Sequence, residues 1–102
     1  MAAIRVVGTS MEPELRNGDI VIVCKEAPAP EKIDPEKLYC VYVEADKGFV
    51  VKRVKYRPET KEFVLLPLNP SSRVLFVKHR RGRNPIVGWV MAAWKTSFPK
   101  VE

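Results

Sequence analysis

Ser10 lies in Gly8-Thr9-Ser10-Met11-Glu12-Pro13, between an extended segment and a proline-started turn. Such a turn exposes a hydroxyl and aims backbone N–H groups at a developing oxyanion. A serine at its ordinary pKa is a poor nucleophile and needs a neighbouring base. His79, the one histidine, sits in Lys78-His79-Arg80-Arg81-Gly82-Arg83. The surrounding cations help keep it neutral, but no acid lies near it in sequence to orient it. It reads as a surface histidine in a solvated loop. Lys52, in Val50-Val51-Lys52-Arg53-Val54, is the other candidate base. In a strand, Val50, Lys52 and Val54 share one face while Val51, Arg53 and Lys55 share the other. That sets one ammonium between valines, where a charge is costly and losing the proton relieves the cost. The bland alternative is a lysine that reaches water at a sheet edge. Ser10 with Lys52 reads as a Ser–Lys hydrolase pair.

These residues must be positioned by short strands. Ile4 to Val7 leads into the serine turn, and Met11 to Leu15 has the makings of a single helical turn, with Pro13 in its first turn and Glu12 and Glu14 near its positive end. Asn17-Gly18-Asp19 is a turn signal, in which Asp19 caps or orients the serine turn or serves turn geometry alone. Further strands are expected at Asp19 to Cys24, Leu38 to Glu44, Phe49 to Tyr56, Glu62 to Leu66, Val74 to Val77 and Ile86 to Trp94, the last with a bend at Gly88. Asp46-Lys47-Gly48 reads as a hairpin turn. Residues 27–37 form a proline-rich surface excursion. Residues 78–83 form a basic loop, read as a solvated hairpin tip or a phosphate contact. The tail from Lys95 reads as loosely held. Many short strands at regular turn spacing argue for one all-β domain over residues 1–102.

Composition fits this reading. The chain is 46% hydrophobic and 29% charged, as in ordinary globular domains. Its nine prolines argue against long helices. A net charge of +6 favours anionic surfaces without specifying a function. Cys24 and Cys40 lie in apolar runs and read as buried free thiols. One histidine and no close cysteine pair exclude a familiar metal site, and no cofactor is expected. Without a leader or an apolar run of membrane-spanning length, the chain is expected to be cytoplasmic. Trp89 and Trp94 fit core or interface contacts.

Three stretches carry a family resemblance: Val7-Gly8-Thr9-Ser10-Met11-Glu12-Pro13, then Asn17-Gly18-Asp19-Ile20-Val21-Ile22-Val23, then Val51-Lys52-Arg53-Val54. In that order the chain resembles the peptidase domain shared by LexA-type repressors, UmuD-like proteins and phage repressors. Leu66-Pro67-Leu68-Asn69-Pro70 and Ile86-Val87-Gly88-Trp89-Val90 extend the likeness over nearly the whole chain. The resemblance implies a compact all-β fold of short, highly bent strands with at most one or two short helical turns. It implies Ser10 as nucleophile and Lys52 as neutral general base, with Gly8, Thr9, Met11 and Pro13 forming the active-site and oxyanion turn. Gly18, Asp19 and Arg53 would support it. The implied reaction is cleavage after a small residue, Ala-Gly or Cys-Gly, in a linker upstream of the domain. Homodimerisation and a RecA-type activator of self-cleavage in the SOS response are implied as partners, with DNA bound through a separate N-terminal domain and no membrane.

The sequence departs from that pattern in places. Nine residues precede Ser10, and they hold no helix-turn-helix and no Ala-Gly or Cys-Gly pair. The usual self-cleavage is therefore not expected of these 102 residues as written. The excursion at 27–37 is longer than the family connection. Ser10-Met11-Glu12-Pro13 and Lys52-Arg53-Val54 also resemble the boxes of type I signal peptidases, although Pro67 to Arg73 stands where those enzymes carry Gly-Asp-Asn. The alternatives are a non-catalytic dimerisation module of a transcription regulator, the soluble part of a signal-peptidase-like protein, or a nucleic-acid binder using the basic loop.

Overall fold

The computed structural model describes residues 1–8, 10–44, 48–80 and 82–95. It is all-β among them. Seven strands run β1 Ala2–Arg5, β2 Ile20–Cys24, β3 Tyr39–Val43, β4 Gly48–Arg57, β5 Glu62–Leu66, β6 Leu75–Lys78 and β7 Ile86–Trp94, with a 3₁₀ turn at Pro30–Lys32 between β2 and β3. The sheet order is β1-β2-β7-β3-β4-β5-β6, and every pairing is antiparallel. The last strand is thus inserted between the second and third. No helix among the described residues is long and apolar enough to cross a membrane.

Strand β4 holds the two halves of the sheet together. Its residues 48–52 pair with β3 and its residues 53–57 pair with β5, on the other side. Lys52 and Arg53 stand at the changeover. Two apolar clusters follow from this. One joins Tyr39, Val41, Val43 and Val54 to Phe63, Leu65 and Ile86. The other joins Val21, Val23, Cys40 and Val51 to Met11 and Leu15 of the serine turn. Tyr39, Val41 and Val43 of β3 enter the first cluster and Cys40, on the opposite face, the second, while Tyr42 farther along that face is exposed. The apolar face expected of Val50, Lys52 and Val54 is present, but Val51 is buried too because its side of β4 is covered by the second cluster.

Five of the seven strands have boundaries one or two residues from those expected, while β5 and β7 keep theirs. The first strand ends at Arg5, yet Val6 still receives a bond from Gly18 N–H and donates to the Asp19 carbonyl. The proline-rich excursion is held at three points. Asn84 Nδ2 donates to the Pro28 carbonyl, Asp34 N–H donates to Tyr39 Oη, and Ile33 packs on the first cluster. The turn expected at Asp46-Lys47-Gly48 lies outside the described residues apart from Gly48, as do Arg81 and the tail beyond Lys95.

The two cysteines are free. Cys40 is fully buried and Cys24 only half so, which corrects the expectation of two buried thiols. Cys24 faces Trp89 of β7 and Cys40 faces Gly88, so a whole strand separates them. At a strand spacing of about 4.8 Å their Cα atoms lie too far apart to bridge. Burial pushes the Cys40 thiol up to about 11.

Gly88 is where β2 and β3 close on β7. A Cβ there would overlap the carbonyl oxygen of Cys24 and lie 2.9 Å from Val23 Cγ1. The obstacle is backbone on a paired strand, so it cannot swing aside. Gly88→Ala should therefore lower the stability by about 1–3 kcal/mol or more, read as a lower denaturant midpoint at unchanged slope. An unchanged midpoint would show that the strands can part at this point.

Candidate active site

Ser10 lies at the start of a turn held in place from several sides. Met11 and Leu15, four residues apart, are both buried and seat the turn in the second cluster. Leu15 N–H donates to the Met11 carbonyl over 2.9 Å. The helical turn expected here is reduced to that bond, and the Glu12–Pro13 peptide is cis. The five residues Met11 to Leu15 are too few for further helical bonds to add up. Gly8, at a φ of 95°, bends the chain out of the first strand in a conformation that suits glycine, and its N–H donates to Asn17 Oδ1 over 3.0 Å. Asn69 N–H donates to the Ser10 carbonyl over 3.0 Å, tying the loop after β5 to the serine.

Asp19 anchors the far end of the turn. It is 0% exposed, and its Oδ2 accepts from Arg16 N–H over 2.9 Å and from Lys95 Nζ over 3.1 Å. Lys95 also donates to the Glu14 carbonyl. The residue expected to begin a loose tail thus ties the end of β7 to the serine turn, because a buried carboxylate needs a partner. Gly18, at a φ of 93°, makes the bend before Asp19. Arg53 pairs with Glu14 Oε2 across 3.4 Å, and its Nε is buried without a hydrogen-bond partner among the described residues.

Lys52 is 5% exposed. Its Nζ donates a hydrogen bond to Ser10 Oγ, bringing together two residues 42 apart in sequence. Burial lowers the Lys52 pKa from its ordinary value of 10.5, since desolvation penalises the ammonium. The alternative of a lysine reaching water at a sheet edge is not what the side chain does. A cleft of about 90 Å³ opens beside the pair. It is lined by the consecutive residues Ile4 to Gly8 on one side and Phe49 to Lys52 on the other, with Ser10 and Met11 between. Because successive side chains in a strand alternate, consecutive lining residues mean that strand edges border the cleft.

His79 lies elsewhere. Its Nδ1 is 3.2 Å from Tyr56 Oη, and its ring packs against Tyr56 and Phe63. It is half-buried rather than solvated, because those rings cover it, and its backbone N–H donates to the Lys61 carbonyl directly after β6. Of the other expected site residues, Pro13 is exposed at the outside of the turn and Thr9 lies outside the described residues. Asn17, Asn69, Glu14 and Lys95 were not assigned to the site by sequence reasoning. Asn17 and Asn69 had a signal, as asparagines in turn-rich stretches, but Lys95 had none. No group of three or more His, Cys, Asp or Glu side chains able to hold a metal occurs among the described residues.

Residues 1–91 match the sequence profile of the Peptidase S24-like family. The chain belongs to that family. It is the family of the LexA, UmuD and phage repressor C-terminal domains, so the resemblance read from the serine and lysine boxes holds. No curated protein matches the chain.

The buried amine has a consequence for stability. Between its lowered pKa in the fold and about 10.5 in the unfolded chain, the unfolded state binds more protons. Stability should therefore rise with pH through that window, and below it the fold bears the cost of the buried charge. Lys52→Met removes both effects, so its advantage in melting temperature over the parent chain should be largest near neutral pH and shrink as the pH nears 10.5. Comparing the two proteins cancels the opposite trend from Cys40, whose raised pKa costs stability as the pH climbs from 9 towards 11. A constant difference from pH 7 to 10 would show that Lys52 does not titrate as a buried amine.

Proposed function

We propose that this domain hydrolyses a peptide bond with Ser10 as nucleophile and Lys52 as general base. The observation that carries the reading is the hydrogen bond between Lys52 Nζ and Ser10 Oγ, with the amine buried and its pKa lowered. Neutral Lys52 accepts the Ser10 hydroxyl proton as Oγ attacks the substrate carbonyl carbon, forming a C–O bond and an oxyanion. Backbone N–H groups of the serine turn stabilise that oxyanion. The intermediate collapses as the C–N bond breaks, and the Lys52 ammonium returns its proton to the leaving amine. Water then attacks the acyl-serine, again giving a proton to Lys52, and the carboxylic acid product leaves as Ser10 recovers its proton.

The cleft supports an extended substrate. The β4–β5 ladder begins only at Arg53, and β1 is the edge strand of the sheet. Two strand edges thus border the space beside Ser10, and a peptide laid between them can bond to backbone on either side. A cleft of about 90 Å³ suits a small side chain such as alanine at the cut bond. The biological substrate in this reading is a linker peptide bond, of the chain itself or of another protein, in the setting of a transcription repressor.

A second role, as a dimerisation module, is favoured by Met91 and Trp94 on the last strand, with Trp94 71% exposed. The two roles are compatible in one domain.

Incubating the chain with peptides containing Ala-Gly and Ala-Ala bonds, and reading products by mass spectrometry, tests the reaction. Cleavage should accelerate with pH until Lys52 is fully deprotonated. Ser10→Ala and Lys52→Ala should each reduce the rate by at least about 100-fold, because an unassisted serine is a poor nucleophile. Cleavage that survives both substitutions would exclude this mechanism.

A further inference from the structure

A second concavity, of about 650 Å³, shares no lining residue with the Ser10 cleft. This volume is in the range of pockets that hold sizeable ligands. Its walls include Tyr42 and Glu44 at the end of β3, Phe76 and Lys78 on β6, and Arg80 and Arg83 on the loop before β7. Tyr42 is 41% and Phe76 53% exposed. Phe49, also exposed, packs edge-on against Tyr42 with ring centroids 5.3 Å apart and carries the aromatic wall beyond the groove. Arg57 lies over the Phe76 ring, its guanidinium carbon 5.6 Å from the centroid.

We propose that this groove binds single-stranded nucleic acid. Exposed rings interleaved with cations match what a single strand offers, which is base faces free to stack and a phosphate on every unit. Bases stack on Tyr42 and Phe76, and Lys78, Arg80 and Arg83 meet the phosphates. The three cations outnumber the one carboxylate, Glu44, in the lining. A hairpin-like bridge between Arg80 and Arg83 sets these two arginines on one loop. Asn84 serves as frame rather than ligand, because its Oδ1 accepts from Ile86 N–H and its Nδ2 donates to the Pro28 carbonyl. An acidic peptide would satisfy the cations but leave the rings without flat partners. A duplex keeps its base faces stacked internally, offering phosphates and base edges but no faces for the rings. The inference does not rest on peptide cleavage, since Ser10 and Lys52 take no part.

Fluorescence anisotropy of a labelled twenty-residue oligo-dT strand, titrated with the full chain, tests the proposal. Binding is expected at 50 mM salt and should weaken on the order of tenfold by 200 mM, as for two or three phosphate contacts. Tyr42→Ala and Phe76→Ala should each weaken it by about tenfold. The double change Arg80→Ala with Arg83→Ala should weaken it and flatten the salt dependence, and Ser10→Ala should leave it unaltered. Circular dichroism and melting confirm that each variant is folded. The two arginines are exposed, so that variant remains informative if an aromatic change unfolds the sheet. No binding at 50 mM salt would overturn the proposal. So would a duplex that binds as tightly with no response to the aromatic changes, or polyglutamate that displaces the strand at equal charge concentration.

Discussion

The structure depends on one buried amine. Lys52 sits opposite Tyr39 in the β3–β4 ladder, at the residue where β4 passes from one partner strand to the next. An ammonium there gives up hydration that its surroundings barely replace, and the lowered pKa is the measure of that loss. The same burial that makes Lys52 a poor structural residue is what its proposed role as a base requires. Covering it requires apolar residues on both sides of β4, which is why the domain has two clusters meeting along this strand rather than one core beneath a flat sheet.

The proposed base in a rigid strand needs a partner that is equally fixed, and Ser10 lies in a turn. The turn is held by two buried apolar residues, Met11 and Leu15, and by polar bonds to segments distant in sequence. Asn17 holds the entry at Gly8, Asn69 holds the carbonyl of Ser10, and Lys95 reaches both Glu14 and Asp19. These contacts draw on the loop after β5 and the end of β7. The serine is therefore positioned by much of the described chain, and order in the turn follows from completion of the sheet.

Much of this was legible in the sequence, and the gaps have physical causes. Strands β5 and β7 coincide with their expected limits because alternation and turn residues bound them sharply. The pairing of Ser10 with Lys52 was legible because the serine box and the lysine box occur together and in the family's order, whereas alternation alone, setting one charge among valines, equally allowed a lysine reaching water. The double burial of β4 was not, since Val51 becomes buried only through the serine turn packing against it. Sheet order was equally hidden. Nothing local in β7 says that it inserts between β2 and β3, although Gly88 marks the close approach that the insertion demands. His79 was misjudged because its neighbours are cations, whereas its ring is held by Tyr56 and Phe63 from strands far back in the chain. Lys95 was misjudged because its partner, the buried Asp19, lies 76 residues away.

The distribution of charge around the serine turn follows from the same constraint. A carboxylate beside Lys52 would raise its pKa and hold it protonated. Of the three acids in and after the serine turn, Glu12, Glu14 and Asp19, two are engaged by a cation, Glu14 by Arg53 and Asp19 by Lys95. The Glu14–Arg53 pair is partly exposed and 3.4 Å long, a geometry that adds little stability. It ties the serine turn to β4 at the residue next to Lys52. The Lys95–Asp19 pair satisfies a fully buried carboxylate. Lys52 Nζ bonds to the hydroxyl of Ser10, and a neutral hydroxyl does far less than a carboxylate to offset desolvation of an ammonium. Burial is the cause of the lowered Lys52 pKa, and the two ion pairs act on the turn that carries Ser10, Glu14–Arg53 tying it to β4 and Asp19–Lys95 to the end of β7.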